Sequence, residues 1–230
     1  MAKKVWAVYF SATGTTEKVV CTIAANLARE LEASWVTRNF TQPSAREEAY
    51  RFGEDDIVVL GTPVYAGRVP NVLLPFLKSI RGNETAVFPV VVYGNRNFDD
   101  ALAELCDLCD TQGFRCGAAA AFVGEHAFSN VLAAGRPDPL DLKEAVRFAE
   151  KAADVIERDA IKEHLTVAGN SPSPGYYQPK GPDGEAIDIR KVKPLVNDRC
   201  NDCKKCVSLC PMGSIMEEHV DQYQGICIKC

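Results

Sequence analysis

From Lys4 to about Leu165 the chain alternates short β-branched runs with stretches whose apolar residues recur at helical spacing. Val5 to Phe10, Ser34 to Thr37, Ile57 to Leu60, Val87 to Tyr93 and roughly Ala119 to Val123 read as strands. Between them, Val20, Ile23, Ala24, Leu27 and Leu31 mark one helix face, and Leu102, Leu105, Cys106 and Cys109 mark another. A last helix is expected over about Leu140 to His164, with Leu142, Val146, Ala149, Ala153 and Ile156 on one side. Such alternation predicts an α/β architecture, a doubly wound five-stranded parallel sheet of order 2-1-3-4-5. The ligand crevice of that sheet lies at the carboxyl ends of strands 1, 3 and 4, so chemistry belongs in the loops after them.

Past Leu165 the periodic pattern stops. Gly169 to Gly184 holds four Gly and four Pro in sixteen residues, too many breakers for a helix or a central strand. Residues 166–196 therefore read as a linker that wraps over a surface, between a domain at 1–165 and a cysteine-rich segment at 197–230. That last segment is too small to build its own core and needs a metal to fold.

Composition narrows the function classes. With 47% hydrophobic and 25% charged residues the chain has ordinary globular material, and disorder is excluded. A formal net charge of -5 and no Lys/Arg run make nucleic acid a poor partner. No apolar stretch is long enough for a membrane span. The opening Met1-Ala2-Lys3-Lys4 and the apolar run after it imitate a secretory signal, but six apolar residues are too few, and the segment reads as the first strand of a cytoplasmic protein.

The first strand runs into Ser11-Ala12-Thr13-Gly14-Thr15-Thr16 and then directly into a helix. Free backbone N–H groups, hydroxyls and the positive end of a helix dipole converge there, which suits a phosphate monoester. Neither G-x-x-x-x-G-K-[ST] nor G-x-G-x-x-G is present. The plainer alternative is that Thr13 or Thr15 only caps the helix.

Together with the loops after strands 3 and 4, this pattern resembles the flavodoxin family over about residues 3 to 165. The resemblance implies that the Ser/Thr-rich loop holds the phosphate of FMN and that Pro63, Val64, Tyr65, Ala66 and Gly67, with Tyr93, Gly94, Asn95, Arg96 and Phe98, sandwich the isoalloxazine. Tyr65 stands where the family places its inner aromatic and Phe98 where it places the outer one. Gly67 and Gly94 would let backbone approach the ring edge. Ordinary loop packing is the alternative for both aromatics. His126, after strand 5, is a candidate for the flavin edge or for contact with the small domain, or else a plain surface or core residue. Cys106 and Cys109 form C-x-x-C but share a buried face with Leu102 and Leu105, so they read as core, like Cys21 and Cys116.

Six of the ten cysteines fall in the last 31 residues. Cys200, Cys203, Cys206 and Cys210, followed by Pro211, make the run C-x2-C-x2-C-x3-C-P of bacterial ferredoxins; a structural zinc site is the rival, although zinc favours paired C-x2-C spacing and not this triplet. In two-cluster ferredoxins the fourth cysteine of each run serves the other cluster. Cys210 is then expected to join Cys227 and Cys230, which look like the opening of a second motif, and each cluster would want one thiolate beyond position 230.

The whole chain thus resembles flavodoxin–ferredoxin fusion proteins, which carry FMN and two [4Fe-4S] clusters. The expectation is an electron carrier that links one-electron clusters to a flavin and serves a redox partner protein or a small-molecule electron acceptor. An FMN-dependent reductase of a quinone or similar acceptor, and a redox sensor, are the alternatives.

Overall fold

The computed structural model describes residues 3–161 and 164–230. Met1 and Ala2, in the signal-like opening, lie outside the described residues, as do Lys162 and Glu163 near the end of the expected last helix. Strands β1 (Lys4–Tyr9), β2 (Ser34–Asn39), β3 (Asp56–Pro63) and β4 (Thr85–Tyr93) pair in parallel in the order β2-β1-β3-β4. Helix α1 (Thr15–Glu30) follows β1, and a short helix α2 (Leu74–Leu77) and α3 (Ala101–Thr111) flank β4 in sequence. The order and the direction of the sheet are those the sequence predicts.

The fifth strand differs in detail. It consists of two pieces, β5 (Phe114–Cys116) and β6 (Ala120–Val123), both on the same edge of β4. The sequence reading found only the second piece. Carbonyls of Val87 and Tyr93 accept from Gly117 and Gly124, so odd-numbered residues of β4 aim their backbone groups at this edge. Pro89 stands among them without an N–H, and the ladder breaks opposite it.

Alternation along the strands divides the core into two layers. Val5, Ala7, Ile57, Val59 and Val90 face α1 and the helix α4 (Pro139–Glu157), whereas Val8, Val58, Leu60 and Val91 face α3 and its neighbours. Fully burying Leu27 or Leu105 contributes about 1.5–3 kcal/mol each. Cys106, Cys109 and Cys116 are 2% exposed within the second layer, as expected of core cysteines. A hydrogen bond with Cys116, and then burial, push the Cys106 thiol far above its usual range, which keeps it neutral and unreactive.

Helix α4 ends well short of His164. Asp159 takes a left-handed conformation with φ 48°, and the Ala160 N–H turns back to the Val155 carbonyl at 2.9 Å, closing the helix without a glycine. His164 instead brings Nδ1 to 3.2 Å from Asp110 at the end of α3. At the start of α4, Asp138 and Asp141 form a reciprocal capping box.

Beyond α4, residues 169–176 cross the N-terminal part of α3 as an irregular segment that bends at Gly169 and Ser171. The cysteine segment contains one helical turn, α5 (Lys205–Leu209), and a bridge between Ile215 and Tyr223. No helix among the described residues is long and apolar enough to cross a membrane.

Candidate functional site

Three loops meet at the carboxyl end of the sheet. In the first, Gly14 adopts φ 85° and leaves α1 without a side-chain cap at its own position. Ser11 does the capping instead: its Oγ accepts from the Glu17 N–H at 3.0 Å, while its own N–H donates to Thr41 Oγ1 at 2.8 Å. The capping role expected of Thr13 or Thr15 therefore belongs to Ser11. Among the described residues no acceptor meets the backbone N–H groups of Ala12, Thr13, Gly14, Thr15 or Thr16. Nothing lies within 4 Å of where a Gly14 Cβ would stand, so these donors open outward at the positive end of a 16-residue helix. Thr41 is a support for the loop that the sequence reading missed, because its spacing from Ser11 carries no local signal.

The basic residue nearest to the loop in sequence already has a partner. Lys18 donates to the Pro137 carbonyl at 2.8 Å, and the Tyr9 hydroxyl binds Glu17 at 2.6 Å. An anion at this loop would be held by N–H dipoles and threonine hydroxyls.

The second loop is a tight turn. Tyr65 and Arg68 exchange backbone hydrogen bonds of 2.9 and 3.1 Å, and Ala66 and Gly67 both take positive φ, 51° and 76°. Tyr65 is half-buried, with Pro63 and Val64 beside it. Burial, with the Cys230 thiol contributing, pushes its phenol well above the usual range. In the third loop Phe98 sits edge-on to Tyr93, ring centroids 5.4 Å apart, and leans on the second core layer, whereas Asn95 and Arg96 are exposed.

The two glycines have a reason beyond ligand approach. A Cβ on Gly67 would stand 2.2 Å from Asp99 Oδ2, and one on Gly94 would stand 2.7 Å from the His126 ring. Both positions are small because the protein's own side chains fill them. His126 thus packs on the third loop and accepts from the Phe128 N–H at 3.1 Å. The Thr62 hydroxyl, at the end of β3, is buried without a partner among the described residues.

The tail lies against this end of the domain. Arg46 donates to the Pro211 carbonyl at 2.7 Å, Gln42 to the Leu209 carbonyl at 3.4 Å, and Ile228 packs onto the same apolar layer as Val64 and Phe98. Among the described residues no group of three His, Cys, Asp or Glu is gathered as a metal site. Cys200, Cys203, Cys206 and Cys230 are exposed, and Cys210 and Cys227 are half-buried.

Residues 7–100 match the family model described as Flavodoxin domain, and the cysteine segment lies outside the match. With the sheet order, this gives the chain a flavodoxin-like domain. Among solved structures the chain is similar to a flavodoxin from the domain Archaea, 13% identical, covering 67% of this chain and 99% of that one with a TM-score of 0.46. It is also similar to oxidised Flavodoxin 1 from Bacillus cereus, 15% identical, covering 66% and 98% with a TM-score of 0.47. Rubredoxin oxygen:oxidoreductase from Desulfovibrio gigas is 15% identical, covering 68% of this chain and 37% of that one with a TM-score of 0.49. No curated protein matches.

Proposed function

We propose that the chain binds one FMN at the three loops and passes electrons between it and two [4Fe-4S] clusters held with the cysteine segment, serving a redox partner protein or a small electron acceptor. The observation that carries the flavin half is the row of five unpartnered N–H groups at the start of α1, beside the half-buried Tyr65 turn. That row suits a phosphate dianion, and the sequence carries no G-x-G-x-x-G fingerprint of a dinucleotide binder. The iron–sulfur half rests on donor chemistry: soft thiols at the spacing of a ferredoxin run, followed by Pro211.

In this reading Ala12, Thr13, Gly14, Thr15 and Thr16 hold the phosphate. Tyr65 and Phe98 wall the ring and keep water from it, and Pro63, Val64, Ala66, Gly67, Tyr93, Gly94, Asn95 and Arg96 shape its edge. Cys200, Cys203, Cys206, Cys210, Cys227 and Cys230 supply thiolates. When bound, FMN supplies a centre that takes one or two electrons, and each cubane takes one at a time. Residues 1–165 form the flavin domain, 166–196 the connector and 197–230 the cluster segment, and the cytoplasm is the compartment proposed.

The test is anaerobic purification, release of the flavin and its mass. FMN at one per chain is expected; FAD, or no affinity for any flavin, overturns the reading.

A further inference from the structure

The connector does more than join two parts. Arg68, at the end of the Tyr65 turn, and Glu104, in the first turn of α3, form a buried bidentate pair: Nε to Oε2 at 2.9 Å and Nη2 to Oε1 at 2.8 Å. The Val69 N–H adds a third donor to Glu104 at 2.9 Å. Tyr176 closes the set from the connector, its hydroxyl 2.9 Å from both Glu104 Oε1 and the Val69 carbonyl, with the Arg68 guanidinium over its ring at 4.4 Å. Arg68 also donates to the carbonyl of Pro174. A buried carboxylate that accepts this many bonds is satisfied, and losing one partner leaves charge or dipole unpaired in an apolar layer.

A second staple holds the neighbouring loop. The Asn170 backbone N–H and Nδ2 both donate to Asp100 Oδ1 at 2.8 Å, and the Asp100 N–H donates to the Gly67 carbonyl at 3.0 Å. Gly169 fits so closely over α3 that a Cβ there would meet Ala103 at 3.0 Å. The connector therefore grips both loops that the proposed flavin ring would lie between, through Asp100, Arg68 and Glu104.

We propose that Asn170 and Tyr176 are positioning residues of the flavin site, acting through Asp100 and the Arg68–Glu104 pair to fix the Tyr65 turn and the Phe98 loop relative to each other. The inference rests on the flavin reading for its ligand, but the positioning itself exists without ligand. Linkage then runs both ways: a seated connector favours the ligand, and the ligand favours a seated connector. The same residues lead into the cysteine segment, so displacing that segment would be felt at the flavin loops.

Amide hydrogen exchange of Tyr65 and Arg68 in the ligand-free full chain tests this, because each amide bonds the other residue's carbonyl. Tyr176→Phe keeps the ring and removes the hydroxyl, Asn170→Ala removes one staple, and Phe148→Leu, on the opposite face of the sheet, is the control for lost stability alone. Both connector variants should exchange these amides roughly fivefold to tenfold faster than wild type and weaken FMN by a similar factor. Phe148→Leu should lower Tm with neither effect. Exchange in Tyr176→Phe and Asn170→Ala that stays within about twofold of wild type overturns the proposal. Wild-type protein with a protected turn and no FMN affinity refutes the flavin reading instead, while the exchange comparison still decides the role of the connector.

Discussion

The Arg46 guanidinium reaches across 165 residues of sequence to the Pro211 carbonyl, the position just after Cys210. The same side chain donates to the carbonyls of Phe40 at 2.9 Å and Thr41 at 2.7 Å. Thr41 in turn supports Ser11, so one cation ties the Cys-Pro turn of the tail to the scaffold of the first loop. Partial burial lowers the Arg46 pKa from its ordinary value, and three carbonyl acceptors compensate the half-buried charge.

Replacing Arg46 by Gln should therefore free the tail before it unfolds the sheet. Charge-assisted hydrogen bonds are worth about 1.5–3 kcal/mol each, and the bond to Pro211 is one whose loss leaves an exposed segment untied. Limited proteolysis should cut residues 205–215 of Arg46→Gln faster than wild type. Equal rates would mean that Gln42 and Ile228 hold the tail unaided.

Ser11 and the threonines should separate by readout. Ser11 caps α1, so Ser11→Ala should cost about 1 kcal/mol of stability. Thr13→Ala and Thr15→Ala remove hydroxyls with no capping bond, and should leave Tm unchanged while weakening FMN by about 0.5–1.5 kcal/mol per bond lost. Thermal melts and flavin titrations on the three variants decide it; a fall in Tm for Thr15→Ala without lost affinity would return the threonines to a structural role.

The sheet order was legible because burial on both faces leaves an unbroken apolar run in Val5 to Phe10, and burial on one side leaves a 3.6 period in Val20, Ile23 and Leu27. The split of strand five was not, because it follows from Pro89 on the neighbouring strand, and the three residues of Phe114–Cys116 are too few for their alternation to signal a strand. The end of α4 was missed for a similar reason: Asp159 takes the left-handed turn usually signalled by glycine. In the candidate site the loops could be named from their positions after strands, whereas Thr41, Arg46, Glu104 and Tyr176 could not. Their partners stand far away in sequence, and a lone Thr, Arg, Glu or Tyr has no pattern until the fold joins it to another.

The Tyr65 turn makes an asymmetric prediction about its two central residues. Gly67→Ala would set a Cβ against Asp99 at φ 76°, and should cost about 2 kcal/mol or more from left-handed strain and overlap together. Ala66→Gly, at φ 51°, relieves strain of about 1–2 kcal/mol while adding unfolded-state entropy of nearly 1 kcal/mol, so it should be neutral to slightly stabilising. Denaturant midpoints of the two variants give the comparison directly.

Acid stability should carry the signature of Asp141. Its bond to Arg136, opposed by burial but aided by the Asp138 backbone N–H, lowers the Asp141 pKa below its ordinary 3.8. A depressed carboxylate stabilises the fold fully above the unfolded value and loses that contribution as pH falls through the folded one. Asp141→Asn should therefore cost about 1–2 kcal/mol at pH 7, with the deficit shrinking below about pH 4. Chemical denaturation of both proteins at pH 7 and pH 3 measures it; a deficit that does not shrink in acid would place the effect in packing.

The cysteines can be sorted into sets by their mutual dependence. The Ser214 N–H lies 3.3 Å from Cys210 Sγ, and the Ser214 hydroxyl bonds the Ile226 carbonyl, so Ser214 ties Cys210 to the residue just before Cys227. If Cys210 and Cys227 serve one cubane and Cys203 another, losing two ligands of the same cluster should cost no more iron than losing one. After anaerobic reconstitution, Cys210→Ser/Cys227→Ser should hold as much iron and sulfide as either single variant, while Cys203→Ser/Cys227→Ser should hold less than both of its singles. Additive losses in the first pair would instead assign Cys210 to the cluster of its own run. Zinc held tightly at Cys200, Cys203, Cys206 and Cys210 in protein purified without oxygen would replace the iron–sulfur assignment with a structural metal.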